Sequence, residues 1–389
     1  NYNVVVGDEA GTAITTGDDN VLVGYSAGDA ITTGTRNVAV GTGAAGTNVS
    51  GDYNVAVGYE SLTTSTASQN TALGFRSLRS DTTGADNVAI GRSALQENTS
   101  ASNNVAVGHL SLKNNTTGTQ NVAVGALALD ANTTASYNTA VGYNALTANT
   151  TGADNTAVGR TALENNTTAD NNTAVGKAAL AQNTTGASNT ALGSLALNLN
   201  TTGISNTAVG KSALGANTTA NANTAVGYNS LTANTTGTEN TAVGTEALNA
   251  TITGSYNTAV GRSALLLTTG DHNTAVGRIA LRTNSSGANN TALGSRSMYS
   301  NSSGGNNTAV GVNALDANTT ASNNTAIGYR AGTTTTTGAD NVAVGSDALF
   351  ANTTGASNVA IGHDALGENT TASNNTAVGM SALVANTTG

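Results

Sequence analysis

One short block of residues recurs from one end of the chain to the other. It reads Asn, then Thr or Val, then Ala, then an aliphatic residue, then Gly, and this Gly occurs 23 times between Gly7 and Gly379. The Gly recurs with a period of 17, which shortens to 16 before Gly74 and before Gly277. Such a period is shorter than the roughly 20–34 residues of leucine-rich, ankyrin or tetratricopeptide units. No linker interrupts the pattern, so residues 1–389 are predicted to form one continuous array without separate domains.

Counting from the repeat Gly as position 0, four positions are nearly fixed. Position −4 is Asn and position −1 is Val, Ile or Leu in all 23 copies, position −2 is Ala in 21, and position +4 is Leu in 18. The −4 to −1 stretch alternates like a strand. Gly then allows a backbone turn that other residues resist. The sequence predicts an all-β fold, a parallel β-solenoid of 23 coils of about 17 residues, with a second short strand around the Leu at +4.

The repeat leaves two interpretations of which strand face is buried. We expect positions −1 and +4 inside, which would bury Val141, Val158, Leu146 and Leu163. The fixed Ala at −2 would then face outward and, being small, would allow a second chain to approach. That predicts a subunit interface at a set of Ala residues: Ala140, Ala157, Ala174 and Ala191. In the alternative, Ala lies inside and the Thr or Val at −3 lies outside. The Asn column predicts a ladder of amides along the stack, in which Asn70 and Asn273 of the two short repeats keep their places.

Composition excludes several classes of function. The chain has no Cys, 13 Lys and Arg and a net charge of −9, which argues against thiol chemistry and against a nucleic-acid partner. No apolar run reaches the roughly 18 residues of a membrane span, so this segment is not expected to insert into a membrane. The three His are far apart in sequence, and no Ser, His and Asp set indicates a triad. We therefore predict no enzyme activity, no catalytic residue, no cofactor and no metal.

Position +1, directly after the Gly, is the most informative variable column. It collects aromatic and basic residues, the types that binding surfaces favour. Nine of the ten Tyr lie either at +1 or at −5, on the two sides of the strand. The alternative is that +1 is an exposed column where bulky side chains pack on each other. The candidate ligand-binding residues are Tyr25, Tyr59, Phe75, Tyr143, Arg160, Tyr228, Arg262 and Tyr329.

The block resembles a known family. The stretches Asn87–Ala94 and Asn358–Ala365 are similar to the head repeats of trimeric autotransporter adhesins of the YadA type, and related repeats occur in phage tail fibres. The resemblance implies a left-handed parallel β-roll, three chains packed side by side as a homotrimeric rod, and a surface that binds host matrix or cell-surface ligands. Two departures stand out: the family's coil is typically shorter than the repeat found here, and its coiled-coil stalk and membrane anchor are not seen in this sequence. Because the chain begins and ends within the pattern, it is expected to be a fragment or to abut other copies end to end.

These observations favour an extracellular structural and adhesive fibre, on a cell or virion surface, that presents its binding surface to a host glycan or protein. One alternative is the shaft of a phage tail fibre, with a spacer or receptor-binding role. Another is an ice-binding β-solenoid that uses the Thr columns at +8 and +9. Adjacent Thr side chains point to opposite faces of an extended chain, so only one of those columns can face solvent.

Overall fold

The chain is built from one short parallel strand per repeat. The computed structural model describes residues 2–387 and contains 23 three-residue strands and no helix in that range. The chain divides into two compact units, Asn1–Ser194 and Leu195–Gly389. Among the described residues no helix could therefore serve as a membrane span.

Both units have the same construction. In each, neighbouring strands pair in parallel, so that equivalent residues of successive repeats lie side by side. The first unit contains the strands β1 Val4–Val6, β2 Val21–Val23, β3 Val38–Val40, β4 Val55–Val57, β5 Thr71–Leu73, β6 Val88–Ile90, β7 Val105–Val107, β8 Val122–Val124, β9 Thr139–Val141, β10 Thr156–Val158, β11 Thr173–Val175 and β12 Thr190–Leu192. The second contains β13 Thr207–Val209, β14 Thr224–Val226, β15 Thr241–Val243, β16 Thr258–Val260, β17 Thr274–Val276, β18 Thr291–Leu293, β19 Thr308–Val310, β20 Thr325–Ile327, β21 Val342–Val344, β22 Val359–Ile361 and β23 Thr376–Val378.

The predicted parallel β-solenoid with one coil per repeat is confirmed, but the second strand in each coil is not. Residues +1 to +6 form a run of turns in the coil of β9. Positions +2 and +4 there have positive φ, 54° at both Asn144 and Leu146. Their amides still bond to neighbouring coils, since Leu146 N–H donates to Ala162 O at 2.9 Å. The stack thus continues through residues whose backbone is too tightly curved to be extended.

The repeat Gly has no substitute at its corner. Gly159 has a φ of +136°, and a Cβ placed there would lie 2.5 Å from the carbonyl oxygen of Gly176 in the next coil. Both the backbone angle and the close approach therefore require a residue without a side chain. The predicted role of this Gly as the turn after the strand is confirmed.

The predicted burial of the strand was wrong. Ala157 at −2 is fully buried, whereas Val158 at −1 and Thr156 at −3 are only half-buried and point to the other face. The same is true of Val141, half-buried beside a buried Ala140. Position +4 was predicted correctly, because Leu146 and Leu163 are fully buried. The interior is narrow, so it holds Leu and small residues, and the β-branched side chains suit the outer pleated surface.

The proposed interface through the Ala column is therefore also wrong. Four Ala residues were assigned to that contact, and each has no exposed surface within its own chain: Ala140, Ala157, Ala174 and Ala191. A side chain enclosed by its own coil cannot touch a second subunit. Position −2 is almost always Ala because the narrow interior of the coil has room only for a small side chain there, and not because another chain packs against it.

Two columns of buried Asn side chains hydrogen-bond to the backbone inside each coil. Asn155 Oδ1, at −4, accepts the backbone N–H of Asn172 in the next coil at 2.9 Å, and its Nδ2 donates to Ala169 O at 2.8 Å. Asn166, at +7, donates through Nδ2 to Asn149 Oδ1 and also to Ala169 O, both at 3.0 Å. The predicted ladder at −4 is confirmed, although it lies inside the coil rather than on the outer face expected for it.

The two short repeats keep the Asn column in line, as predicted. Asn70 N–H donates to Asn54 Oδ1 and Asn273 N–H donates to Asn257 Oδ1, both at 2.9 Å. In the short repeat that precedes Gly74, the chain is one residue shorter in the turn that follows position +7. There Asn54 Nδ2 donates to the carbonyl of Ala67, 13 residues on rather than 14. A deletion in the strand would instead have turned its side chains to the wrong face.

Candidate functional site

The +1 side chains project outward because of the backbone at the Gly corner. The strand ends at −1, the Gly turns the chain, and the next residue points to solvent. All eight candidate ligand-binding residues are exposed: Tyr25, Tyr59, Phe75, Tyr143, Arg160, Tyr228, Arg262 and Tyr329. The prediction that these positions lie outside is confirmed, whereas their role in ligand binding stays a prediction. We call this set of exposed positions the +1 column.

The aromatic part of the +1 column is most continuous between β4 and β6. The rings of Tyr59 and Phe75, on successive coils, stack with centroids 5.3 Å apart. Arg76 and Arg92 place their guanidinium carbons 5.0 and 6.0 Å from the Phe75 ring centroid. This is the mutual packing of aromatic and basic side chains that sequence reasoning held as an alternative, and it does not exclude binding. Tyr59 and Phe75 are still 43% and 42% exposed, so a ligand can reach them.

One carboxylate, that of Glu60, lies between two of the Arg residues beside these rings. Glu60 Oε2 lies 2.9 Å from Arg76 Nε and 3.0 Å from Arg79 Nε. Desolvation acts to raise the pKa of Glu60, but hydrogen bonds from Tyr59 and Arg76 and the charges of the two Arg outweigh it and lower the pKa. The carboxylate therefore stays ionised and holds both guanidinium groups, but it offsets only one of their two positive charges, so the surface is both aromatic and cationic.

Elsewhere the column is interrupted and its contacts are looser. Lys211 Nζ lies 5.8 Å from the Tyr228 ring centroid, and Arg330 lies 5.7 Å from that of Tyr329. Ser, Thr, Ala and Val occupy several +1 positions between the aromatic residues. Each unit therefore carries separate aromatic patches on a regular scaffold.

Position −5 carries a second set of exposed rings on the opposite side of the strand. Tyr256 stacks on His272 with centroids 4.8 Å apart, and Arg36 lies 5.3 Å from the Tyr53 ring centroid. Every −5 residue from Asp19 to Asn374 has a positive φ, among them Asp154 at 57°. Asp86 and Asp340 are also among these residues, so the chain bends at −5 just before the strand.

Among the residues that the structure describes, the fold brings together a His and Asp cluster that spacing in the sequence did not reveal. Ligand atoms of Asp347, His363 and Asp364 lie within 4.8 Å of one another, on two successive coils. His363 Nδ1 is 3.1 Å from Asp364 Oδ2. The guanidinium of Arg330 already lies 3.1 Å from Asp347 Oδ1, where a metal ion would have to compete with it. We therefore assign no metal site to this cluster.

The Thr at +8 is used by the coil itself. Thr150 Oγ1 donates to Thr167 O at 3.0 Å, and Thr133 Oγ1 to Thr150 O at 3.2 Å. The ice-binding alternative used this column, but its hydroxyl groups donate to backbone carbonyls of the next coil and form a ladder along the stack. The neighbouring +9 residue, for example Thr151, is the exposed one.

Comparison with known proteins adds no assignment to this geometry. No protein-family model matches the chain, and no curated protein sequence matches it. The similarity of the repeat to YadA-type head repeats therefore remains a resemblance of short motifs.

Proposed function

We propose that the chain is a structural and adhesive fibre segment, located outside the cell on a cell or virion surface, that binds a host glycan or protein through the +1 column. The observation that carries this proposal is the division of each coil into fixed and variable positions. Gly, Asn, Ala and Leu at the fixed positions supply the corner and the interior, whereas aromatic and basic side chains vary at an exposed position. A scaffold with a variable exposed column suits recognition or spacing.

The residue types in the column support a binding role over a purely spacing role. Tyr143 and Tyr228 are about half exposed, 52% and 48%, and each combines an aromatic ring with a hydroxyl group. Tyr loses little conformational entropy when it binds, and aromatic faces pack well on sugar rings and apolar side chains. A phage-fibre shaft that only spans distance would need none of these rings.

We further propose that the chain associates with itself, as a homotrimer, through the outward strand face formed by positions −3 and −1. This moves the expected contact from the buried Ala column to the face that the structure exposes. Several aliphatic side chains at −1 are 40–47% exposed there: Leu73, Leu192, Leu293, Ile327 and Ile361. Exposed apolar columns of this kind are typical of surfaces that bury against a partner.

The binding proposal is tested with Tyr→Ser variants on arrays of glycans and matrix proteins. Tyr59→Ser combined with Tyr143→Ser should weaken binding to the ligand that the natural chain selects. Tyr137→Ser, at −5 of the same repeat as Tyr143, is the matched control, because Tyr137 is similarly exposed at 57% but lies in another column. Equal binding by the +1 variant and the control would refute the role of the +1 column.

The assembly proposal is tested by sedimentation. Leu192→Lys together with Leu293→Lys places charges on the outward face and should shift a trimer to monomer without loss of β structure. A natural chain that sediments as a monomer, or an unchanged trimer in the variant, would refute this contact. Ice binding receives no support at +8, since the hydroxyl groups of that column donate to backbone carbonyls.

A further inference from the structure

A small cleft in the second unit differs from the rest of the +1 column. It has a volume of about 220 Å³ and lies across the coils of β15 to β18. Its walls include Arg262, Arg278, Arg282, Glu246 and Tyr299. Three guanidinium groups in one cleft are unusual in a chain of 389 residues that has only 13 Lys and Arg and a net charge of −9.

None of these three cations forms an ion pair with a carboxylate among the described residues. Arg262 and Arg278 occupy position +1 on successive coils. Arg296, beside the Tyr299 ring, is by contrast paired with Asp316 at 2.9 Å. Like charges held close together favour an anion that bridges them.

The third cation and the ring beside it are held in place. Arg282 Nη1 donates to the hydroxyl of Tyr299 at 3.1 Å and its guanidinium lies 5.9 Å from that ring centroid. Arg296 lies 4.7 Å from the centroid of the same ring. Both Arg282 and Tyr299 are half-buried. One wall of the cleft is therefore ordered, whereas Arg262 and Arg278 are exposed and can adjust to a ligand.

Glu246 gives the cleft a second chemical character. Its Oε2 accepts a hydrogen bond from Ser263 Oγ at 3.2 Å, and the carboxylate retains further acceptor capacity. A simple anion gains nothing from a carboxylate. A ligand with an anionic group and neighbouring hydroxyl groups uses both, because its anion binds the Arg groups and its hydroxyl groups donate to Glu246.

We propose that this cleft binds an acidic sugar, one that carries a carboxylate or sulfate group. The anion bridges Arg262 and Arg278, a hydroxyl group donates to Glu246, and Arg282 with Tyr299 forms the fixed wall. This inference rests on the proposed binding function of the surface and specifies one of its ligands. Charge-assisted hydrogen bonds from Arg are the strongest polar contacts that such a site can offer.

The test is calorimetric titration of the full chain with a uronic-acid disaccharide, a sulfated disaccharide, their neutral parent sugars and inorganic sulfate. We expect an acidic disaccharide to bind, its neutral parent not to bind, and Arg278→Gln to weaken binding about tenfold or more. Arg36→Gln, an exposed change at −5 in the first unit, is the control and should have no effect. Affinity should fall as salt is raised.

Glu246→Ala separates a sugar site from a general anion site. It should weaken binding of the acidic disaccharide and leave unchanged or strengthen binding of inorganic sulfate. The inference is overturned if no acidic disaccharide binds, if sulfate binds as well as the sulfated disaccharide, or if Arg278→Gln has no effect. If the cleft fails these tests while the Tyr59 and Tyr143 variants still lose their array ligand, only this inference fails and the proposed function stands.

Discussion

The Asn ladders predict a specific non-additive effect of two substitutions. Asn155 and Asn166 come from different columns, and both donate through Nδ2 to the carbonyl oxygen of Ala169, at 2.8 and 3.0 Å. Ala169 is 4% exposed, so water cannot replace these donors. Either single Asn→Ala change leaves the carbonyl with one donor, whereas the double change leaves it with neither.

The magnitudes follow from counting bonds. Asn155→Ala also removes the acceptor of the Asn172 N–H, and a buried unpaired group costs about 1–3 kcal/mol. The double variant orphans the Ala169 carbonyl in addition, so it should be less stable than the sum of the single variants by a further ~1–3 kcal/mol. Asn155→Ala with Asn183→Ala is the matched control, because Asn183 donates to Gly186 O instead. That pair should be additive within about 0.5 kcal/mol.

Native-state hydrogen exchange is the suitable assay, because it reports local opening in a stacked array whose overall unfolding need not be two-state. The strand amides of Thr156 and Thr173 report on the two coils concerned. Additive effects of Asn155→Ala and Asn166→Ala would refute the shared-acceptor argument. A cost for Asn155→Ala below about 0.5 kcal/mol, the lower end for one ordinary hydrogen bond, would show that its two bonds contribute little.

Three further changes test other parts of the coil. Gly159→Ala should lower the stability by about 1–3 kcal/mol, because it combines a φ of +136° with a Cβ 2.5 Å from a neighbouring carbonyl oxygen. Gly152→Ala should lower it less, since Ala169 occupies the same position one coil later. Thermal melts of the two variants compare these effects. Leu163→Ala empties a fully buried site and should cost about 2–5 kcal/mol in urea unfolding. Burial raises the pKa of Asp81 from 3.8 to about 6. As pH rises, the unfolded chain therefore loses the Asp81 proton at a lower pH than the folded chain does. The free energy of unfolding should fall between about pH 4 and about pH 6 and stay constant above that. Asp81→Asn should remove this pH dependence and raise stability at neutral pH, and a variant as pH-dependent as the natural chain would contradict the assignment.

The period predicted the fold, but it did not determine which face of the strand is inside. The alternation of the strand correctly predicted that positions −4 and −2 share one face and positions −3 and −1 the other. It did not show which of the two faces is buried. Hydrophobicity favoured Val158 over Ala157, yet the coil is too narrow for Val in that place. The variation at position −3 indicated the correct orientation. This position holds either Thr or Val, as at Thr156 and Val122, and such variation is typical of an outer face. The first coils show the same space limit, because Leu22 at −2 is accompanied by Gly at +4 in Gly28.

Part of the candidate site could also be predicted from the sequence, and part of it could not. The exposure of the +1 column could be predicted from its position after the Gly corner. The cleft with Arg262 and Arg278 could not, because it also needs Arg282 and Tyr299 at +5, a position that the fold turns toward +1 of the neighbouring coil. The positive φ of Leu146 was not foreseen either, since apolar residues rarely adopt it. It results from the tight run of turns that brings the Leu side chain inside.

The central claim is that Ala and Asn fill the coil while the strand's Thr and Val face outward. Hydrogen exchange of Ala157→Asp and Val158→Asp, two adjacent residues in β10, tests it most directly. A charge at 157 would be buried without a partner, so Ala157→Asp should abolish protection in β9 to β11. Val158→Asp should retain that protection, even where it alters association between chains. Loss of protection in Val158→Asp with retention in Ala157→Asp would contradict the account.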